Sequence, residues 1–399
     1  MYTPSKKVLE KYANVLINFA LNSGKGIKKG EVVLLQVPES AKLLLKELRI
    51  AVLKSGGFLI TQYLPEGLTR DYYEYASEEQ LKFFPEKYLR GKIDQVDHIV
   101  SVIADTNPFE LKGIDPKKIM LSGLTSKPYS DWRNEKESKG KLTWTLGLYG
   151  TSEMAKEAKM SLEDYWMQII KGCYLDEKDP VKKWKETFKK IEILRKKLNK
   201  LDIDKIRIEA DGTDLLIGID KNRMWLGGSG RNIPSYEIFI SPDCRRTDGY
   251  ITFTEPLFRY GNLITGIKLE FKNGKVVKSS ATKGEKLLKE MIKTKGADMI
   301  GEFSLTDRRF SKIDKFMAET LFDENVGGKY GNTHIALGNA YKDSYSKDQS
   351  KVGKGEWSKM GYNDSSVHTD IVATSNRKVT ATLKNEKQII IYQDGEFQI

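Results

Sequence analysis

Residues 32–65 read VVLLQVPESAKLLLKELRIAVLKSGGFLITQYLP, and this stretch decides the class of fold. The run Val32–Val37 is apolar along most of its length, with Lys28-Lys29-Gly30 before it and Pro38 after it. From Ala41 to Lys54 the residues Leu44, Leu45, Leu48 and Val52 recur at helical spacing, and Gly56-Gly57 ends the helix. A second apolar run, Phe58–Tyr63, stops at Pro65. Strands that are apolar throughout and separated by a helix predict a parallel sheet covered on both faces.

Outward from this stretch the alternation continues. A helix is expected near Ser5–Leu21, another over Ser77–Tyr88, and a third strand over His98–Ile103. Together these define an α/β N-terminal domain over residues 1–105, a parallel sheet with helices on both faces. Its loops carry no glycine fingerprint of the dinucleotide or P-loop kind, so the domain reads as a scaffold or lid without a nucleotide cofactor. The first helix reads as amphipathic and surface-lying. Its Leu9, Val15, Leu16 and Phe19 are interleaved with Lys, Glu and Asn, which is not the order of a secretory signal. His98 opens a strand here and reads as structural.

Residues 106–399 form a larger α+β, strand-rich C-terminal domain in this reading. Residues 106–200 look like a connecting region. Within it Ser161-Leu162-Glu163-Asp164 resembles a helix cap before Tyr165, Trp166, Ile169 and Ile170, and a lysine-rich helix runs from Val181 to Lys200. From Ile206 short strands follow one another, and Asn273-Gly274 between two of them is a hairpin signal. A helix over Gly284–Lys293, a strand over Met299–Leu305 and a helix ending near Phe322 come next. The tail reads as two strands around Asp394-Gly395.

Composition narrows the function classes. A chain that is 39% hydrophobic and 31% charged is expected to be soluble and cytoplasmic, and no apolar run approaches the roughly 18 residues of a membrane span. The net charge of +12 raises nucleic acid as a partner. The excess is mostly lysine spread along the whole chain, with no aromatic-interleaved recognition motif, so no nucleic-acid partner is expected. Two cysteines, Cys173 and Cys244, are too few for a thiolate metal site and read as reduced thiols. Any metal must rest on carboxylates and imidazoles.

Those residue types gather late in the chain. Leu321–Tyr341 reads LFDENVGGKYGNTHIALGNAY and contains Glu324, three glycines suited to close backbone approach, His334 and Tyr341. His334 is expected to begin a helix-like segment, placing Tyr341 two turns on along the same face. His368 and Asp370 lie two apart in an apparent strand, and so on one face of it. Glu237 opens a strand, and Glu302 sits inside the apolar run Met299–Phe303, where a charge needs compensation by a metal or by a base such as Arg245 or Arg246. Two imidazoles and four carboxylates match the donor set of two-metal hydrolases. Neither H-E-x-x-H nor G-x-S-x-G occurs.

Four ordered segments resemble the thermophilic aminopeptidase family of metallo-exopeptidases, the aminopeptidase T or AmpS type. They are Asn232-Ile233-Pro234 through Glu237-Ile238-Phe239 to Pro242-Asp243; Gly301-Glu302; Leu321-Phe322-Asp323-Glu324-Asn325 through His334 to Tyr341; and Ser366-Val367-His368-Thr369-Asp370. The resemblance implies that Glu237, Glu302, Glu324, His334, His368 and Asp370 surround two divalent metals, zinc or cobalt before manganese or magnesium, with Glu302 bridging. It implies a catalytic Tyr341, peptide substrates with a free N-terminus, and a homodimer whose sites face an enclosed cavity. The segment between Glu324 and His334 is longer than in the forms it resembles, which leaves Glu324 as either a ligand or a general base. A different two-metal amidohydrolase and a non-catalytic metal-binding protein are the alternative readings.

Overall fold

The structure is a computed structural model and describes residues 2–259 and 261–399. The chain forms two compact units. One holds Met1–Phe188, Gly228–Ser235 and Met317–Leu321; the other holds Lys189–Gly227, Tyr236–Phe316 and Phe322–Ile399.

The first unit is built on a four-stranded parallel sheet. Its order is Phe58–Leu64, Val32–Pro38, His98–Ile103, Thr143–Leu148. Val33, Leu34 and Leu35 in the inner strand are fully buried, whereas Phe58 on the edge strand is 65% exposed. The fourth strand carries the unit past the boundary expected at residue 105. Its crossover is the helix Pro116–Ser138, where the sequence suggested only a connector. That helix buries Ile119 alone and contains Pro128, so its apolar periodicity is too weak to read.

The first helix, Lys6–Val15, and the turn of π-helix after it also differ from expectation. Leu9, Tyr12, Leu16, Ile17 and Phe19 are buried, so this segment is core rather than a surface layer. The Leu148 N–H donates to the Tyr12 phenol oxygen at 2.8 Å, tying the helix to the fourth strand. The helix expected over Ser77–Tyr88 is broken at Pro85 into Glu78–Leu81 and Glu86–Gln95, as the missing proline N–H requires. His98 is structural: its ring lies 2.8 Å from both Thr143 Oγ1 and a Glu31 carboxylate oxygen.

The second unit is antiparallel. An eight-stranded sheet runs from Lys275–Ser280 at one edge to Glu396–Phe397 at the other. Asn273 and Gly274 take φ of 49° and 83°, the left-handed pair that closes a two-residue hairpin as their sequence predicts. A five-stranded sheet has the order His368–Ala373, Asn332–Gly338, Ile300–Thr306, Glu237–Ile240, Leu226–Gly227. The helix expected to end near Phe322 shrinks to Thr320–Asp323. Among the described residues no helix is long and apolar enough to cross a membrane. Cys173 and Cys244 are both free and buried.

Candidate metal centre

The five-stranded sheet has two unlike faces because strand side chains alternate. Ile238, Ile240, Phe303, Leu305, Ile335, Leu337 and Ile371 carry one face into the core. The register sets Ser304 opposite His334 and Phe239, Glu302 opposite Ala336, Ala336 opposite Asp370, and Gly338 opposite His368. The other face therefore carries Glu237, Glu302, His334, His368 and Asp370 together. Ser304, Ala336 and Gly338 stand among them, and these small side chains leave the longer ones room to converge. A bulge between Ile300 and Glu302 adjusts the Glu302 strand. Gly301 occupies the bulge because a Cβ there would sit 2.4 Å from the Gly338 and Asn339 carbonyl oxygens.

His334 is thus a strand residue and does not begin a helix, so Tyr341 is not two turns further on. The Asn332–Gly338 strand is buried at every position. Its run of apolar residues fits a buried strand as well as a short helix, and only pairing on both sides decides the outcome. The glycines before it also serve packing. A Cβ at Gly331 would lie 2.2 Å from the Thr306 carbonyl oxygen and 2.1 Å from the Tyr392 phenol oxygen.

The distances describe one connected cluster. His334 Nε2 lies 3.3 Å from Glu302 Oε1, 3.4 Å from Glu237 Oε2 and 3.9 Å from Asp370 Oδ1. His368 Nε2 lies 3.4 Å from Glu302 Oε2 and 3.3 Å from Asp370 Oδ1. Glu302 therefore presents one carboxylate oxygen to each imidazole. Glu324, which follows the short helix, shares a neighbourhood with His334 and Asp370 in which ligand atoms lie within 4.8 Å of one another. The same holds for Glu237, Glu302 and His334, and for Glu302, His368 and Asp370. All six residues named from sequence meet here.

Neighbours hold these groups in place. Ser304 Oγ donates to Glu237 Oε2 at 3.1 Å. The Tyr236 N–H donates to Asn325 Oδ1 at 2.6 Å, which ties the Glu324 segment to the start of the Glu237 strand. An Arg259 guanidinium N–H donates to the His368 carbonyl oxygen at 3.3 Å, and its charge also acts on Asp370. Of these, Ser304 was accessible from sequence, since it lies two positions beyond Glu302 on the same strand. Asn325 adjoins Glu324 in the Leu321–Tyr341 segment, whereas nothing local marks Arg259. Arg245 and Arg246, considered as partners for Glu302, are occupied by Asp243 and Asp204.

Tyr341 is half-buried, with its ring 5.0 Å from the His368 ring and 5.6 Å from that of Phe239.

The electrostatics follow from crowding four carboxylates and two imidazoles in one place. Burial pushes the Glu237 carboxyl up to about 7, opposed by His334 and helped by Glu302 and Asp370. Burial also works against charging His334, but the Glu302, Glu237 and Asp370 carboxylates outweigh it and lift the imidazole to about 9. His368 is raised in the same way by Asp370 and Glu302. Burial would raise Glu302, yet hydrogen bonds with His334 and His368 hold it below the usual carboxylate range. The cluster demands positive charge, which protons on the imidazoles supply when no metal does. Hard oxygens with two imidazoles are the donor chemistry of divalent cations, so these residues fit a metal centre.

The comparisons with known proteins agree with this chemistry. The family model described as thermophilic metalloprotease (M29) matches residues 5–397. The chain belongs to that family. It is a metal-dependent peptide hydrolase. It is 28% identical to aminopeptidase PepS of Streptococcus thermophilus, with 99% of this chain and 98% of the relative covered. It is 27% identical to aminopeptidase T of Thermus thermophilus, with 92% of each covered. The solved structure of wild-type AmpT from Thermus thermophilus shares the fold, with a TM-score of 0.81 at 23% identity, over 99% of this chain and 100% of that one.

Proposed function

We propose that this protease is an aminopeptidase using two divalent metals, held by Glu237, Glu302, Glu324, His334, His368 and Asp370. The observation that carries the reading is the division of Glu302, with Oε1 at 3.3 Å from one imidazole and Oε2 at 3.4 Å from the other. A carboxylate so divided suits a bridge between two cations. When bound, such a pair lowers the pKa of a water and polarises the scissile carbonyl.

The chain's own residues supply the rest. Tyr341, beside His368, donates its phenol proton in a hydrogen bond to the oxyanion that develops on the substrate, a contribution of about 3 kcal/mol for one good donor. Glu324 acts either as a ligand or as the base that takes the attacking water's proton. If it is not a ligand, it can also pair with the substrate's α-ammonium group, which would favour peptides with a free N-terminus. Zinc and cobalt are the preferred metals and a homodimer the preferred assembly, on the family likeness already described. The reduced, buried cysteines fit a cytoplasmic location.

The test is hydrolysis of leucine p-nitroanilide by chelator-stripped protein, with zinc, cobalt, manganese or magnesium restored singly. An N-acetylated substrate runs beside it. Metal-restored cleavage of the free amine alone supports the aminopeptidase. Equal cleavage of the acetylated substrate points to a different amidohydrolase, and metal binding without any cleavage sinks the catalytic reading.

A further inference from the structure

After Gly338 the chain leaves the metal-bearing sheet. Asn339 and Ala340 still donate their N–H groups to main-chain carbonyls, those of Val367 at 2.7 Å and Asn363 at 2.9 Å. At Tyr341 the acceptor changes. Its N–H donates to a side chain, Ser241 Oγ, at 2.9 Å. The Ser241 N–H in turn donates to Ser344 Oγ at 3.1 Å, and Ser344 Oγ donates to the Met224 carbonyl at 2.8 Å. The Ser344 N–H closes the turn on the Tyr341 carbonyl at 3.2 Å. Both serines are fully buried.

Ser241 directly follows the strand that bears Glu237. Two residues before it, Phe239 meets the Tyr341 ring from one side, at 5.6 Å and a 59° tilt, while His368 meets it at 5.0 Å and 64°. One strand and the residue that follows it therefore present, at alternate positions, a carboxylate of the cluster, a stop for the tyrosine ring and an anchor for the tyrosine main chain. The spacing between Tyr341 and the cluster is set along that strand.

We propose that Ser241, with Phe239, is a positioning residue for Tyr341: the hydroxyl clamps the tyrosine's main chain and the phenyl ring sets its side chain against His368. The inference rests on the reading of Tyr341 as the oxyanion donor. Without the hydroxyl, the Tyr341 main chain loses the side-chain acceptor that anchors it, and the turn is free to shift. A displacement of about 1 Å at a reacting group costs on the order of 100-fold in rate, so a small shift suffices.

The experiment compares wild type, Ser241→Ala, Tyr341→Phe and the double variant by kcat, KM, metal content and Tm. Ser241→Ala is expected to lower kcat about 10- to 100-fold, with KM and metal content near wild type. In the Tyr341→Phe background the same change is expected to do nothing further, because its effect passes through the phenol. If Ser241→Ala leaves kcat unchanged, or lowers it equally in both backgrounds, the positioning role is overturned while Tyr341 keeps its own. If Tyr341→Phe retains full kcat, the reading of Tyr341 itself fails and takes the proposal with it. Should Ser241→Ala not fold, Phe239→Leu carries the same test: a kcat loss that vanishes beside Tyr341→Phe supports the clamp, and an additive loss overturns it.

Discussion

His368 Nδ1 lies 2.7 Å from the main-chain carbonyl oxygen of Asn339. A carbonyl only accepts, so Nδ1 carries the proton and Nε2 is left to face Glu302 and Asp370. A main-chain group therefore selects the tautomer that can bind a cation, and it does so from the residue just past the strand that bears His334. Substitution at Asn339 cannot remove this contact, which directs mutational tests to the carboxylates and to Ser304.

Glu302→Gln should remove metal and activity together. The amide keeps the shape of the side chain but leaves one oxygen where two now divide between the imidazoles. Metal analysis of the purified variant alongside its rate checks this; full metal content at full rate would end the bridging role.

Ser304→Ala should weaken metal binding without preventing it. The hydroxyl orients Glu237 from a distance of 3.1 Å, and losing such a support typically costs about 10- to 100-fold in affinity. Chelator competition measures the change, and an unaltered affinity would show that Glu237 is held by packing alone.

Tyr341→Phe should retain metal and Tm while kcat falls about 10²- to 10³-fold, as for removal of one oxyanion donor. A fall confined to KM would place the phenol in substrate binding instead.

Gly301→Ala should destabilise the fold by about 1–3 kcal/mol through overpacking. The added methyl meets two carbonyl oxygens at 2.4 Å, those of Gly338 at the end of the adjoining strand and of Asn339 just past it, so the bulge that aims Glu302 must move. Denaturant unfolding reads the stability, and metal content reads the displacement.

Asp243→Asn should cost about 1–3 kcal/mol at neutral pH, the value of a charge-assisted hydrogen bond between a buried carboxylate and a half-exposed guanidinium. Burial alone would raise the Asp243 carboxyl, but the Arg245 side-chain and main-chain hydrogen bonds outweigh it and hold it below the usual range. A carboxyl depressed in the folded state stabilises above its unfolded pKa, and that stabilisation is lost as pH falls through the folded value. The two proteins should thus differ by the full amount above about pH 4 and converge as pH falls below it, through the depressed folded value. Unfolding curves across that range decide it; a constant difference would show that charge is not involved.

The sequence by itself determined the elements whose causes are local. Unbroken apolar runs separated by an amphipathic helix specify the parallel sheet of the first unit, and Asn273-Gly274 specifies a hairpin of the second because both residues accept positive φ. It also supplied the chemistry of the site, since three histidines and a carboxylate stranded in an apolar run leave few places for a metal. Tertiary structure decided what depends on neighbours distant along the chain. His334 became a strand residue only because Ile300–Thr306 and His368–Ala373 flank it on both sides. Helix Pro116–Ser138 escaped notice because its burial is too slight to impose a period. Asn339, Arg259 and Ser241 entered through contacts spanning 29, 109 and 100 residues, and no local pattern encodes a partner that far away.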